Sequence, residues 1–105
     1  MTDLTHPGAV MARLVELEAD LAHRQNAYEA AASAWYRMKR DREHARAVAF
    51  IKAEGTVAER NALADVETSL MGRDEEALFE SMRAVMRTIE ARLSVGQSIL
   101  RAQSK

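Results

Sequence analysis

The stretch Glu54-Gly55-Thr56-Val57-Ala58-Glu59-Arg60 divides this chain into two long runs that are almost free of helix breakers. The first runs from Ala9 to Glu54. The second runs from Val57 to about Ala102 and is interrupted only by Gly72 and Gly96. Gly55 stands where a helix C-cap takes φ > 0, a conformation without steric cost for glycine. Thr56 and Glu59 have capping-box spacing, in which the Thr56 hydroxyl accepts from the Glu59 backbone N–H and the Glu59 carboxylate accepts from the Thr56 N–H. One helix therefore stops and another starts within about two residues, as in an αα-hairpin. The sequence predicts an all-α fold: an antiparallel two-helix hairpin of coiled-coil type. The first helix is expected over about 8–54, the turn at 55–56 and the second helix over about 57–102. Residues 1–6 are expected as a flexible N-terminal arm and 7–105 as a single hairpin domain. Pro7, the only proline, suits the first turn of a helix, with Thr5 or His6 as its cap.

Composition supports the same class. Apolar residues make up 48% of the 105-residue chain, but aromatics only 5% and charged residues 30%, which favours long helices over an α/β core. A net charge of −1 supplies no global field toward nucleic acid or an anionic membrane. The absence of cysteine removes disulfides, thiolate chemistry and Cys-ligated zinc together. The stretch Met1–Pro7 has neither a basic n-region nor an apolar h-region, so no secretory signal is expected. No window approaches a membrane span. A cytoplasmic location is the expectation.

Heptad spacing then sorts the apolar residues into faces. On the first helix Leu14, Leu17, Leu21, Tyr28, Ala31 and Trp35 follow alternating steps of three and four, interrupted at Arg24. On the second, Leu63, Val66 and Leu70 lead to Leu78, Met82, Val85 and Ile89. These are expected to form the seam of the hairpin. Between Leu70 and Met82 the steps run four, four, four, a stutter that coincides with Gly72. One helix with a soft point is expected there rather than a break. Beside each seam runs a second stripe: Val15, Tyr36 and Phe50 on the first helix, and Phe79, Met86, Leu93 and Leu100 on the second. A lone hairpin has little core, and exposed apolar stripes ask for a partner. A homo-oligomer is expected, a dimer of hairpins or larger, joined through the second stripes into a four-helix or larger bundle.

No constellation points to chemistry. His6, His23 and His44 have no histidine partner at i+3 or i+4, and two ligands such as Asp20 and His23 make no metal site. The adjacent acids Asp74-Glu75-Glu76 compensate a helix N-terminus as well as they would hold a cation. There is no nucleophile–base set and no phosphate-cradling glycine loop. Neither a catalytic residue, a metal site nor a cofactor is expected, and the chain is not expected to be an enzyme. The densest basic run offers Arg37, Arg40, Arg42 and Arg46 as nucleic-acid contacts beside Trp35 and Tyr36. At 100° per residue these cations scatter round the helix rather than track a phosphate backbone.

The hairpin invites comparison with the secreted WXG100 proteins, but the turn Glu54-Gly55-Thr56 has no tryptophan and Trp35 lies well inside a helix, which excludes that family. The chain resembles a group of small helical proteins of temperate phages, often encoded beside recombination or single-strand-annealing genes. The resemblance lies in Tyr28, in Ala53-Glu54-Gly55-Thr56-Val57-Ala58-Glu59-Arg60, and in Leu93-Ser94 and Gln97-Ser98. It covers most of the chain from Tyr28 onward. It implies a phage accessory protein acting in the host cytoplasm, in DNA recombination or in redirecting a host protein. The expected function is a non-enzymatic coiled-coil adaptor that self-associates and docks a host or phage protein. The alternative is an accessory DNA-binding protein of phage recombination or replication.

Overall fold

A computed structural model describes residues 6–103. Residues 1–5 of the expected arm, with Thr5 as a candidate cap, lie outside the described residues, as do 104 and 105. The described residues form three α-helices and no strand: α1 (Pro7–Lys52), α2 (Val57–Thr68) and α3 (Arg73–Gln103). The helix expected over 57–102 is therefore two helices, separated at residues 69–72.

Helix α1 starts as its sequence dictates. The His6 carbonyl accepts the first helical bond, from the Val10 N–H at 3.1 Å. The His6 imidazole Nδ1 accepts from the Gly8 N–H at 3.1 Å, satisfying one of the donors that a helix start leaves without a partner. Pro7 occupies the first helical position, where no N–H is required. From Ala9 onward nothing in the sequence interrupts the helix for 46 residues in all.

The connection at 53–56 uses Gly55 at φ 117°. Thr56 has extended backbone and caps α2, accepting from the Glu59 N–H at 3.2 Å. The reciprocal half of the capping box differs from expectation. The Glu59 carboxylate accepts from the Thr56 hydroxyl, 3.2 Å away, rather than from the Thr56 N–H. It lies against Gly55, where a Cβ would stand 2.6 Å from Glu59 Oε2.

The second break has its own chemistry. The Thr68 hydroxyl donates back to the Ala64 carbonyl at 2.8 Å, and the Met71 N–H bonds the Thr68 carbonyl in the tighter i→i−3 pattern. The Gly72 carbonyl accepts the first bond of α3, from Glu76 N–H at 2.9 Å. Gly72 itself is at φ 77°. Asp74, Glu75 and Glu76 then place negative charge on the first turn of α3, complementing its dipole.

The chain divides into two compact units: a terminal unit of Met1–Glu29 with Ser81–Lys105, and a central unit of Ala30–Glu80. The terminal unit buries Val10, Leu14 and Leu17 of α1 and Met86 and Ile89 of α3. Gly96 admits the Leu14 side chain, and a Cβ there would come within 2.5 Å of it. Tyr28 and Met82, both half-buried, line one shallow depression. The central unit buries Ala31, Trp35 and Ala49 of α1, Ala64 and Thr68 of α2, and Phe79 of α3. Here Gly72 lies on α1, with its missing Cβ 3.1 Å from Met38 Cβ and 3.2 Å from the Trp35 ring. Tyr36 and Phe79 meet with ring centroids 5.7 Å apart, tilted by 56°.

The break re-phases the return path, and the expected faces change places. Phe79 and Met86, expected on the outer stripe, are buried, while Leu78 and Val85, expected in the seam, are exposed. The observed inner line of α3 is Phe79, Met82, Met86, Ile89, Leu93, Gly96 and Leu100, all buried or half-buried, with steps of three and four throughout. Two apolar stripes lie side by side on α3, and the one that carries Phe79 and Met86 is buried.

Candidate functional site

Helix α2 carries the most unusual surface in the chain. It buries Ala64 and Thr68, at 0% and 4% exposure, and leaves Leu63 and Val66 at 55% and 78%, with Leu70, just beyond its end, at 68%. The expected seam thus points outward here too. A polar clamp accompanies it. Arg46 Nε donates to Asp65 Oδ1 at 2.7 Å and its Nη2 donates to Asn61 Oδ1 at 3.2 Å. Asn61 and Asp65 are i,i+4 neighbours on one face of α2. At 100° per residue, that face and the Ala64–Thr68 line lie roughly opposite Leu63 and Val66. The buried residues here are small: Ala64 on α2 and Ala49 on α1.

Arg60 holds the connection between α1 and α2, a role that sequence reasoning missed. Its Nε donates to the Phe50 carbonyl at 3.1 Å, one of the α1 carbonyls left without an intrahelical partner. Its guanidinium lies 4.3 Å from the Phe50 ring centroid. The signal was an arginine ten residues after an aromatic across a tight turn, a pattern that periodicity does not register. Phe50, expected on an outer stripe, is half-buried beneath it.

The other expected outer residues divide. Val15 and Tyr36 are exposed, whereas Leu93 and Leu100 are half-buried on the inner line of α3. Of the seam residues, Leu14, Leu17, Trp35 and Ile89 are buried, and Leu21, Tyr28 and Met82 are half-buried. Gly55, Thr56 and Glu59 all lie in the connection between α1 and α2.

Of the four arginines considered for nucleic acid, two have local partners and two are exposed. Arg46 is engaged with Asp65 and Asn61. Arg42 lies over the Trp35 ring at 5.3 Å. Arg37 and Arg40 are exposed. Among the described residues no three His, Asp or Glu side chains gather where they would hold a metal ion. No helix among them is long and apolar enough to cross a membrane.

The terminal unit has a second apolar surface. A groove of about 510 Å³ opens between the start of α1 and the end of α3. Leu14 and Leu17 form its floor with Val95 and Ile99, and Arg13 and Arg92 stand along it. Its lining includes no acidic residue. The described residues are thus all-helical and carry two apolar surfaces. No family model matches the chain, and no curated protein or solved structure is significantly similar to it.

Proposed function

We propose that this chain is a non-enzymatic helical interaction protein, folded as an antiparallel hairpin that self-associates into a four-helix or larger bundle. The observation that carries this reading is the inverted burial of α2, where alanine and threonine are inside and Leu63, Val66 and Leu70 outside. Exposed apolar side chains in a row on one helix face are what a partner surface leaves behind when the partner is absent. Burying the three would contribute roughly 3–6 kcal/mol by area. Association costs about 4–15 kcal/mol, so the ridge must be used together with a further face. A second copy of this chain supplies both.

A net charge of −1 favours an adaptor role, with the assembled bundle presenting a surface to a host or phage protein. The recombination-gene company implied by the resemblance to small temperate-phage proteins favours DNA binding, but an adaptor of a recombination protein would keep it too. Sedimentation or light scattering at micromolar concentration tests self-association directly, and a monomer there refutes it. A salt titration of DNA binding tests the adaptor role against a DNA-binding one. True phosphate contacts make log affinity fall with log salt by about 0.7–0.9 per contact, and tight, salt-sensitive binding would overturn the adaptor role.

A further inference from the structure

The ridge along and just beyond α2 and the groove of the terminal unit are both apolar and carry opposite charges. The ridge is a convex row of Leu63, Val66 and Leu70, with Glu67 beside Val66. The groove is a concave apolar strip whose charged members are Arg13 and Arg92. Arg13 is tied to Glu16 by an exposed pair at 3.0 Å. Neither Arg92 nor Glu67 is engaged by a hydrogen bond or ion pair among the described residues. Each surface thus carries one uncommitted charge, and the two charges are opposite.

We propose that the occupant of the groove is the Leu63–Val66–Leu70 ridge of a second copy of this chain, seated with Glu67 against Arg92. This rests on the self-association proposed above and deepens it by naming the two surfaces that meet. Ridge and groove are different surfaces, and each chain offers one of each. In the proposed dimer each ridge takes the other chain's groove, so the same contact is made twice about a two-fold axis. A single twelve-residue helix is a small contact, and exchange doubles it toward the ~1,200–2,000 Å² of a stable interface.

The test uses the full-length chain and substitutions at exposed positions. Val66→Asp in the ridge and Val95→Asp in the groove should each raise the dimer dissociation constant roughly tenfold or more, read by sedimentation, with helicity by circular dichroism unchanged. Mixing the two variants should restore a 1:1 complex, because one intact ridge then meets one intact groove. Arg92→Glu and Glu67→Arg should each weaken the dimer several-fold, and the double variant should recover most of the loss. That charge exchange decides the matter even where an aspartate variant loses helix. Three results would each overturn the proposal: an oligomer indifferent to Val66→Asp, a mixture that forms no complex, or a double variant no better than its parents. Any of these leaves self-association through another face standing. A monomeric wild-type chain overturns both readings.

Discussion

Replacing Gly72 by alanine decides between two phases of the return path, because they give opposite signs. In a continuous helix through residues 69–72, Gly72→Ala would stabilise the chain by up to ~1 kcal/mol, since alanine is the better helix former. In the structure Gly72 has φ 77°, where a Cβ costs about 1–2 kcal/mol. The new methyl would also stand 3.1 Å from Met38 Cβ and 3.2 Å from the Trp35 ring. Neither neighbour yields easily: Met38 Cβ is anchored to the α1 backbone, and Trp35 is buried. Overpacking of that kind costs about 1–3 kcal/mol. The reduced freedom of the unfolded chain returns about 0.4–1 kcal/mol, leaving a net loss of roughly 2–4 kcal/mol by these same terms. Urea unfolding followed by circular dichroism, at one fixed protein concentration, measures it. A thermal scan should show a drop of about 10–20 °C. Gly72→Asn serves as control, because asparagine tolerates positive φ but carries the same Cβ, and it should recover only the backbone part of the loss. An alanine variant as stable as the wild type, or more so, would refute both the break and the inward phase of Phe79.

Phe79→Ala should cost about 3–5 kcal/mol as a cavity in the central unit, whereas Leu78→Ala, at an exposed position, should fall within about 1 kcal/mol of wild type; equal losses in urea midpoint would contradict the assigned face. Thr56→Ala should cost roughly 1 kcal/mol by removing the α2 cap, and Thr56→Ser should retain most of it in the same assay. Arg60→Met keeps the aliphatic stem but loses both the bond to the Phe50 carbonyl and the guanidinium over the ring, and a loss of about 1–2 kcal/mol is expected; an unchanged midpoint would show that neither contributes. Gly96→Ala has no positive φ to oppose it and meets only the end of the Leu14 side chain. It should therefore be less damaging than Gly72→Ala, and the reverse order by thermal scan would contradict the assigned geometry.

What the sequence conveyed well was local. Gly55, Thr56 and Glu59 announce a helix end and a helix start through their own backbone preferences, and both boundaries lie within a few residues of expectation. All-helical content follows from the same long runs without breakers. The phase of the return path was not legible, because choosing a seam by size favours Leu63, Val66, Leu78 and Val85. The chain instead uses Ala64, Thr68 and Gly72, whose value is that they are small. Heptad counting weighs a buried alanine as little and an exposed valine as much. Neither the Arg46 clamp to Asn61 and Asp65 nor the reach of Arg60 to Phe50 has a periodic signature. Both depend on residues brought together only once the chain has turned.

The four residues between α2 and α3 also act as a register buffer for the reading frame of faces. Adding one residue inside an unbroken helix turns everything beyond it by 100°. In α1, such an insertion ahead of Ala31 would leave Ala31, Trp35 and Ala49 out of step with the buried positions that precede it. At residues 69–71 the backbone is already free of the helical repeat, so an added residue there is absorbed as a wider turn while Phe79 and Met86 keep their orientation. The two legs should therefore record history differently. The outbound helix tolerates substitution but not a change of length, and length variation among descendants of this chain belongs at the break.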